Sequence, residues 1–214
     1  GTGPPLVGGA LESTDETPPV LLEVPDETME EVGLLLPPDQ KVEASATASF
    51  LRAISEAAGP ISFELVGREG RVSIRIASSA ADARLIRSQL GTFFPAATLL
   101  EPTAHLARLW TKAEGNSTRA LEFGLAREFM LPLREMGKLP DPLTAFIGAL
   151  AGADSGELAL LQVLFHPARE PWAESAFEAI VSPDGKPFFI DFPEFTKFAE
   201  EKLTAPLYAV LIRV

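Results

Sequence analysis

The residues with the most evident chemistry are two histidines, His105 and His166. Neither belongs to a tight cluster such as His-Glu-x-x-His, so the sequence predicts no zinc site. His166 has the chemistry of a general base, and one interpretation is an unrecognised hydrolase that uses His166 and an acid. We favour a strand-end role for His166, with its ring hydrogen-bonded to nearby backbone. We expect His105 to be an exposed connector residue.

Nucleotide and nucleophile motifs are missing from the sequence. A phosphate-binding loop needs Gly-x-x-x-x-Gly-Lys-Ser/Thr, but the two Gly-Lys pairs are followed by Leu139 and Pro187. There is no Gly-x-Ser-x-Gly and no cysteine, so neither a serine elbow nor a thiol nucleophile is indicated. We therefore predict no catalytic residue, no metal ligand and no cofactor in this chain.

A candidate partner-binding set follows the apolar stretch before residue 167. Trp172 and Arg169 could form an exposed anchor of the kind that dominates binding interfaces, with His166 beside them. The alternative, which we favour for Trp172, is packing on the strand that it follows. His166, Arg169 and Trp172 are the residues we assign to partner binding.

These candidates depend on a strand predicted over residues 157–165. Its apolar side chains leave little room for a polar side, which is typical of a strand buried on both faces; they are Leu158, Leu160, Val163 and Phe165. We expect this strand to be central to the fold.

A first unit is predicted over residues 20–102, in the order β-α-β-β-α-β. The elements are a first strand at 20–24 or 32–36, a helix at 47–58, a hairpin of 61–65 and 71–76, a helix from Ser79 to about Phe93, and a strand at 97–100. The hairpin alternates, and we expect Arg71 and Arg75 on a face open to water. The helix should bury Phe50, Leu51, Ile54 and Ala58. This order is the split β-α-β, or ferredoxin-like, plan.

A second unit is predicted over residues 119–214, after a connector at 103–118. Its elements are a strand at 120–129, a helix at 141–150, the strand at 157–165, helices from Pro171 and at 192–202, and a strand at 207–214. It lacks a final helix and strand, so we interpret the chain as part of a longer protein. The predicted fold class is α+β, with two tandem ferredoxin-like units, the second incomplete and with inserted helices.

The last strand, 207–214, is apolar on both faces. We expect it to lie beside the 157–165 or the 120–129 strand, with part of one face and one sheet edge open. Open edges and apolar patches recruit other chains, so this fragment is expected to dimerise.

The charge of the chain is concentrated at its start. The formal net charge is −12, and residues 1–44 contain ten acidic residues and one basic residue. We expect residues 1–19 to be a flexible acidic leader. An acidic surface disfavours direct contact with nucleic acid. No apolar run is long enough for a membrane span, so we expect a cytoplasmic protein, associated with a membrane only through a larger complex.

One stretch carries a family resemblance. Residues 162–175 read Gln-Val-Leu-Phe-His-Pro-Ala-Arg-Glu-Pro-Trp-Ala-Glu-Ser, followed by Gly-Lys-Pro-Phe-Phe at 185–189 and the strand from Pro206 to Val214. This pattern resembles the N-terminal accessory region of TraG-like and HerA/FtsK-type ATPases of conjugative transfer and type IV secretion. The resemblance covers roughly residues 120–214. It implies a non-catalytic region beside a downstream ATP-binding motor, and it carries over no catalytic residue.

Two functions follow from these patterns. The first is an assembly or partner-binding domain of a ring-forming DNA-translocating or secretion ATPase, with the downstream ATPase domain and neighbouring subunits as partners. The second is an independent regulatory module that holds a peptide or a small ligand between two sheets.

The chain should not hydrolyse ATP, and it should bind duplex DNA weakly or not at all at physiological salt, because it lacks a phosphate loop and carries excess negative charge. Phosphate-release assays and fluorescence anisotropy check this expectation. Submicromolar, salt-sensitive DNA binding would contradict it.

Overall fold

The computed structural model describes residues 29–100, 105–113, 118–126, 142–154, 156–168 and 193–214, and single residues at 129, 131, 133, 174, 178 and 180. Within these residues the fold is α+β, with seven strands and five helices. The strands are β1 (Met29–Leu35), β2 (Ile61–Arg68), β3 (Arg71–Ser79), β4 (Thr98–Leu99), β5 (Glu122–Phe123), β6 (Ala159–Pro167) and β7 (Tyr208–Arg213). The helices are α1 (Ala44–Ala53), α2 (Ala80–Phe93), α3 (His105–Ala113), α4 (Pro142–Ala151) and α5 (Pro193–Leu203).

All seven strands belong to one antiparallel sheet, in the order β4-β1-β3-β2-β6-β7-β5. The two units predicted from the sequence therefore share a sheet instead of each forming its own. The junction is the ladder between β2 and β6, whose register runs from Ile61 opposite Phe165 to Gly67 opposite Ala159.

One side of the sheet, which we call the helix face, carries the main core. It is defined by Ile61, Phe63 and Leu65 of β2, because alternate residues of a strand share a face. Helices α1 and α2 pack here; the buried residues of this cluster are Leu34, Phe50, Ile54, Ala57, Ile61, Ile76, Ile86 and Leu90. The opposite side, defined by Ser62, Glu64 and Val66, is the polar face.

The start of α2 was correctly predicted, and it has a further structural role. Ser79 accepts a hydrogen bond from the backbone N–H of Asp82 at 3.2 Å, which is the expected helix cap. The Asp82 carboxylate also accepts from the backbone N–H groups of Ala58 and Gly59, each at 2.9 Å. One buried carboxylate thus fixes both the α2 N-terminus and the loop that leads into β2.

Helix α4 approaches the sheet at a glycine. A Cβ added to Gly67 would lie 2.1 Å from the backbone oxygen of Leu150, so no larger residue fits unless the helix moves. Leu150 packs with Leu65 and Leu161 in a second core cluster on the helix face. Because Leu65 lies on β2 and Leu161 on β6, α4 covers the junction between the two strands.

Several sequence expectations are corrected by the structure. The 61–76 hairpin has no water-exposed face at its centre: Glu64 is 2% and Arg75 is 8% exposed. The first helix ends at Ala53, and Ala57 is buried in place of Ala58, which is exposed. Within the described part of the predicted 120–129 strand, only Glu122–Phe123 forms a strand.

The 157–165 strand is central as predicted, but most of its side chains are only half-buried. All four residues of the predicted apolar set are partly exposed: Leu158, Leu160, Val163 and Phe165. The 207–214 strand is confirmed, and it lies between β6 and β5. The leader 1–19, the strand candidate 20–24 and the helix start at Pro171 lie outside the described residues.

Replacing Gly67 by alanine should destabilise the protein by about 1–3 kcal/mol, since α4 must shift to admit the methyl group. The matched control is Gly91→Ala in α2, where nothing lies within 4 Å of an added Cβ. That change should stabilise by about 0.5–1 kcal/mol because alanine favours helix. Urea unfolding measures both, and an equal, small effect at both sites would contradict the close approach of α4.

Candidate functional site

Of the three residues predicted to bind a partner, one, His166, lies within the described residues. His166 lies at the end of β6, opposite Ala209 of β7, and alternation places it on the polar face. Its Nδ1 atom is buried and has no hydrogen-bond partner in the described part of the chain. The hydrogen bond expected between the His166 ring and nearby backbone is therefore not seen for Nδ1, and this atom has no hydrogen bond to a described acid. Arg169 and Trp172 lie outside the described residues.

The polar face contains a row of hydrogen bonds that crosses three strands. Glu64 Oε1 accepts from Ser62 Oγ at 2.8 Å and from Gln162 Nε2 at 2.9 Å. Gln162 Oε1 in turn accepts from Arg213 Nε at 2.6 Å. This row links β2, β6 and β7 by side chains as well as by backbone.

A second polar contact lies at the other end of the same face. Arg75 of β3 forms an ion pair with Glu31 of β1, with 3.4 Å between Arg75 Nη1 and Glu31 Oε2. The Glu31 carboxylate also accepts from the backbone N–H of Leu106, at 2.9 and 3.1 Å. Leu106 is in the first turn of α3, where unpaired N–H groups and the helix dipole favour a negative charge. The Glu31 carboxylate thus positions α3.

Glu64 is the most perturbed carboxyl in the row. Burial raises its pKa above the ordinary value of 4.5, and the charge of Glu31 acts in the same direction. Hydrogen bonds from Gln162 and Ser62, and the charge of Arg75, oppose the shift. Glu64 Oε2 is buried and has no hydrogen-bond partner in the described region. Glu64 is only 2% exposed, so its carboxyl group is out of reach of a substrate in solution.

This polar row was not predicted from the sequence. Arg75 was expected to face water, and the 157–165 strand was expected to be apolar, although Gln162 stands in the middle of that strand. A polar residue inside an apolar strand indicates a buried polar partner, because burying an unpaired polar group is costly. The partner is 98 positions away, and no local pattern reveals it.

The other distinctive feature is an apolar surface at the β7 end of the helix face, which we call the open apolar end. It consists of Phe123 of β5 and Val210 and Ile212 of β7, which are 48%, 54% and 36% exposed. The register places all three on the same side as Phe165 and Val163. In the described structure, α1 and α2 pack over β1, β3 and β2, while α4 covers β2 and β6.

Helix α4 adds apolar exposure on the same side of the sheet. Leu143 and Ile147 are each 44% exposed, whereas Phe146 and Leu150 face the sheet. A helix that exposes one apolar row while burying another has a second face available for contact.

The start of β7 is held firmly. The hydroxyl of Tyr208 donates to the backbone oxygen of Leu51 in α1, and burial raises the pKa of Tyr208 to about 12. The Phe165 and Tyr208 rings meet edge to face, with centroids 5.6 Å apart. A groove of about 450 Å³ lies between α5 and this end of β7, and its apolar lining includes Phe198, Pro206 and Leu207.

Lys202 of α5 also lines this groove. Its Nζ donates to the backbone oxygens of Phe129 at 2.5 Å and Leu131 at 3.0 Å, and burial lowers the pKa of Lys202. The ammonium group is therefore committed to backbone carbonyls.

The described residues contain no group of three or more histidine, cysteine, aspartate or glutamate side chains arranged to hold a metal ion. They also contain no helix long and apolar enough to cross a membrane.

The raised pKa of Glu64 predicts a pH dependence of stability. Because the folded state holds the Glu64 proton more tightly than the unfolded state does, this contribution is complete below pH 4.5 and is lost as pH rises through the folded pKa. Glu64→Gln removes this contribution. The free energy of unfolding of the variant, relative to wild type, should therefore increase with pH from about 4 upward.

Urea unfolding of both proteins at a series of pH values measures this difference. Glu56→Gln is the control, since Glu56 is exposed after α1. A difference between Glu64→Gln and wild type that is constant with pH would mean that the Glu64 pKa is not raised.

Comparison with known proteins places the chain in a family. A family model described as "Domain of unknown function (DUF8128)" matches residues 36–182. No curated protein and no solved structure matches the chain. The match covers more than half of the 214 residues and spans α1 through β6, including the β2–β6 junction. The chain therefore belongs to the DUF8128 family.

Proposed function

We propose that this chain is a non-catalytic assembly domain, which brings copies of its parent protein together through the open apolar end. The observation that carries the proposal is the exposure of Phe123, Val210 and Ile212 on one side of the sheet. Exposed apolar residues on neighbouring strands are typical of surfaces that contact another protein. Their burial against a second protein surface would contribute roughly 25 cal/mol per Å² of apolar area before the costs of association.

The position of these residues supports the same function. Tyr208 anchors the start of β7 on α1, and β6 pairs with β7 along its length, so the exposed side chains are held on a rigid strand. A rigid apolar surface loses little conformational freedom on binding, which favours association. The described residues contain no hydrogen-bonded pair of a histidine and an acid. A hydrolase therefore has less support.

The parent protein that we propose is a TraG-like or HerA/FtsK-type ATPase, with this chain on the N-terminal side of its motor. The support is the resemblance over residues 120–214, with the downstream ATPase domain and neighbouring subunits as partners. Such a domain would act in the cytoplasm, near a membrane only through the larger complex. The sequence downstream of Val214 in the gene tests this part of the proposal, since a phosphate-loop motif is expected there.

The finer fold assignment is also a proposal. The order β1-α1-β2-β3-α2-β4, with neighbours β4-β1-β3-β2, supports a ferredoxin-like plan for the first unit. We propose that the second unit extends this sheet at the β2 edge. A ligand held between two separate sheets has less support, because the described strands form one sheet.

Sedimentation velocity over a range of protein concentrations tests the assembly function. The wild-type chain should associate reversibly, and Ile212→Asp should weaken the association at least about tenfold, since it would bury an unpaired charge. The control is Leu35→Asp on β1, at the opposite end of the sheet, where Leu35 is 55% exposed. That variant should associate like wild type. A chain that stays monomeric at every concentration would contradict the proposed function.

A further inference from the structure

We infer that assembly occurs by antiparallel pairing of β7 with the β7 strand of a second copy, around a two-fold axis at Ala209. This inference rests on the proposed assembly function and specifies its geometry. In this arrangement Tyr208 of each copy lies opposite Val210 of the other, and the two sheets become continuous.

The direction of the backbone groups identifies the edge of β7 that faces away from β6. Val214 exchanges two hydrogen bonds with Leu121, at 2.8 and 2.9 Å, so the peptide groups of Val214 point to the β5 side. Groups two residues apart in a strand point to the same edge. The N–H and C=O of Ile212, Val210 and Tyr208 therefore also point to that side.

Strand β5 is too short to use this edge fully. It pairs with Arg213 and Ile212 and then ends at Phe123. No described strand pairs with Val210 or Tyr208 on that side, whereas Leu207, one residue out of phase, accepts a hydrogen bond from Ala168 on the β6 side at 2.8 Å. The backbone groups of Tyr208 and Val210, which both point away from β6, can therefore pair with a further strand.

The charge and size of the side chains favour a second copy as the occupant. Residues 203–212 contain no charged residue, so antiparallel self-pairing brings no like charges together. Natural sheet edges are usually protected by charged residues, and the stretch of β7 that β5 leaves uncovered, Tyr208 to Val210, carries no charge. Ala209 has the smallest side chain of the strand, which suits the close, non-hydrogen-bonded pair at the axis. Pro206 cannot donate to a ladder, so it ends the pairing after Leu207.

The chain contains no cysteine, so a single introduced thiol reports the register. In the inferred pairing the two Ala209 Cα atoms lie about 4.5 Å apart, a separation that a disulfide can bridge. Ala209→Cys should therefore give a covalent dimer under mild oxidation. The matched control is Leu211→Cys on the same strand face, whose two copies would be about 13 Å apart along the strands. Equal, slow cross-linking at both positions would overturn the inference.

A second variant tests the backbone contact. Because the N–H of Val210 points away from β6, Val210→Pro removes an edge donor and leaves the β6–β7 ladder intact. It should abolish association in sedimentation velocity, while Val210→Ala, which keeps the N–H, should retain most of it. Circular dichroism checks that each variant folds. If Val210→Pro does not fold, the comparison of Ala209→Cys with Leu211→Cys tests the inferred pairing instead.

The outcomes separate the two proposals. If Ile212→Asp reduces association but Val210→Pro does not, and Ala209→Cys fails to cross-link, edge pairing is wrong while the assembly function stands. If the wild-type chain does not associate at all, both are wrong.

Discussion

The structure depends on the ladder between β2 and β6. These strands are about 100 residues apart in the chain, yet seven residue pairs align them, from Ile61 opposite Phe165 to Gly67 opposite Ala159. The ladder is reinforced on one side by the Glu64–Gln162 hydrogen bond, and on the other by Leu65 and Leu161 packing under α4. Among the described strands, β7 and β5 join the sheet through β6, so this ladder and the Tyr208–Leu51 hydrogen bond together position the open apolar end.

Local patterns in the sequence identified elements well and their long-range partners poorly. The α2 start at Ser79 and the last strand were predicted because a helix cap and an alternating apolar run are local signals. The burial of Glu64 and Arg75 was not predicted. An alternation of apolar and polar residues fits a strand with one solvent-exposed face, and it fits equally a strand whose polar side chains are buried. The single sheet was missed because sequence periodicity does not specify which distant strand pairs with β2.

The inferred contact between copies has a defined symmetry. Pairing of β7 with itself is isologous, so it closes on two copies and leaves no further β7 edge available. A ring-forming parent protein would therefore need a second, heterologous surface for ring closure. Leu143 and Ile147 of α4 are exposed on the same side of the sheet and are not used by β7 pairing. The β7 edge would thus join two copies into a pair, and the exposed residues of α4 would contact a different neighbouring subunit.

Native-state hydrogen exchange at increasing denaturant concentration tests the central claim, that β2 and β6 join both halves into one cooperative sheet. The amides of the β2–β6 ladder, and those of β1 and β3, should converge on a single opening free energy equal to that of global unfolding. The contrary result is an earlier, separate opening of β6 and β7 while β1, β3 and β2 stay protected. That result would mean that the chain folds as two independent units and that the shared sheet does not hold them together.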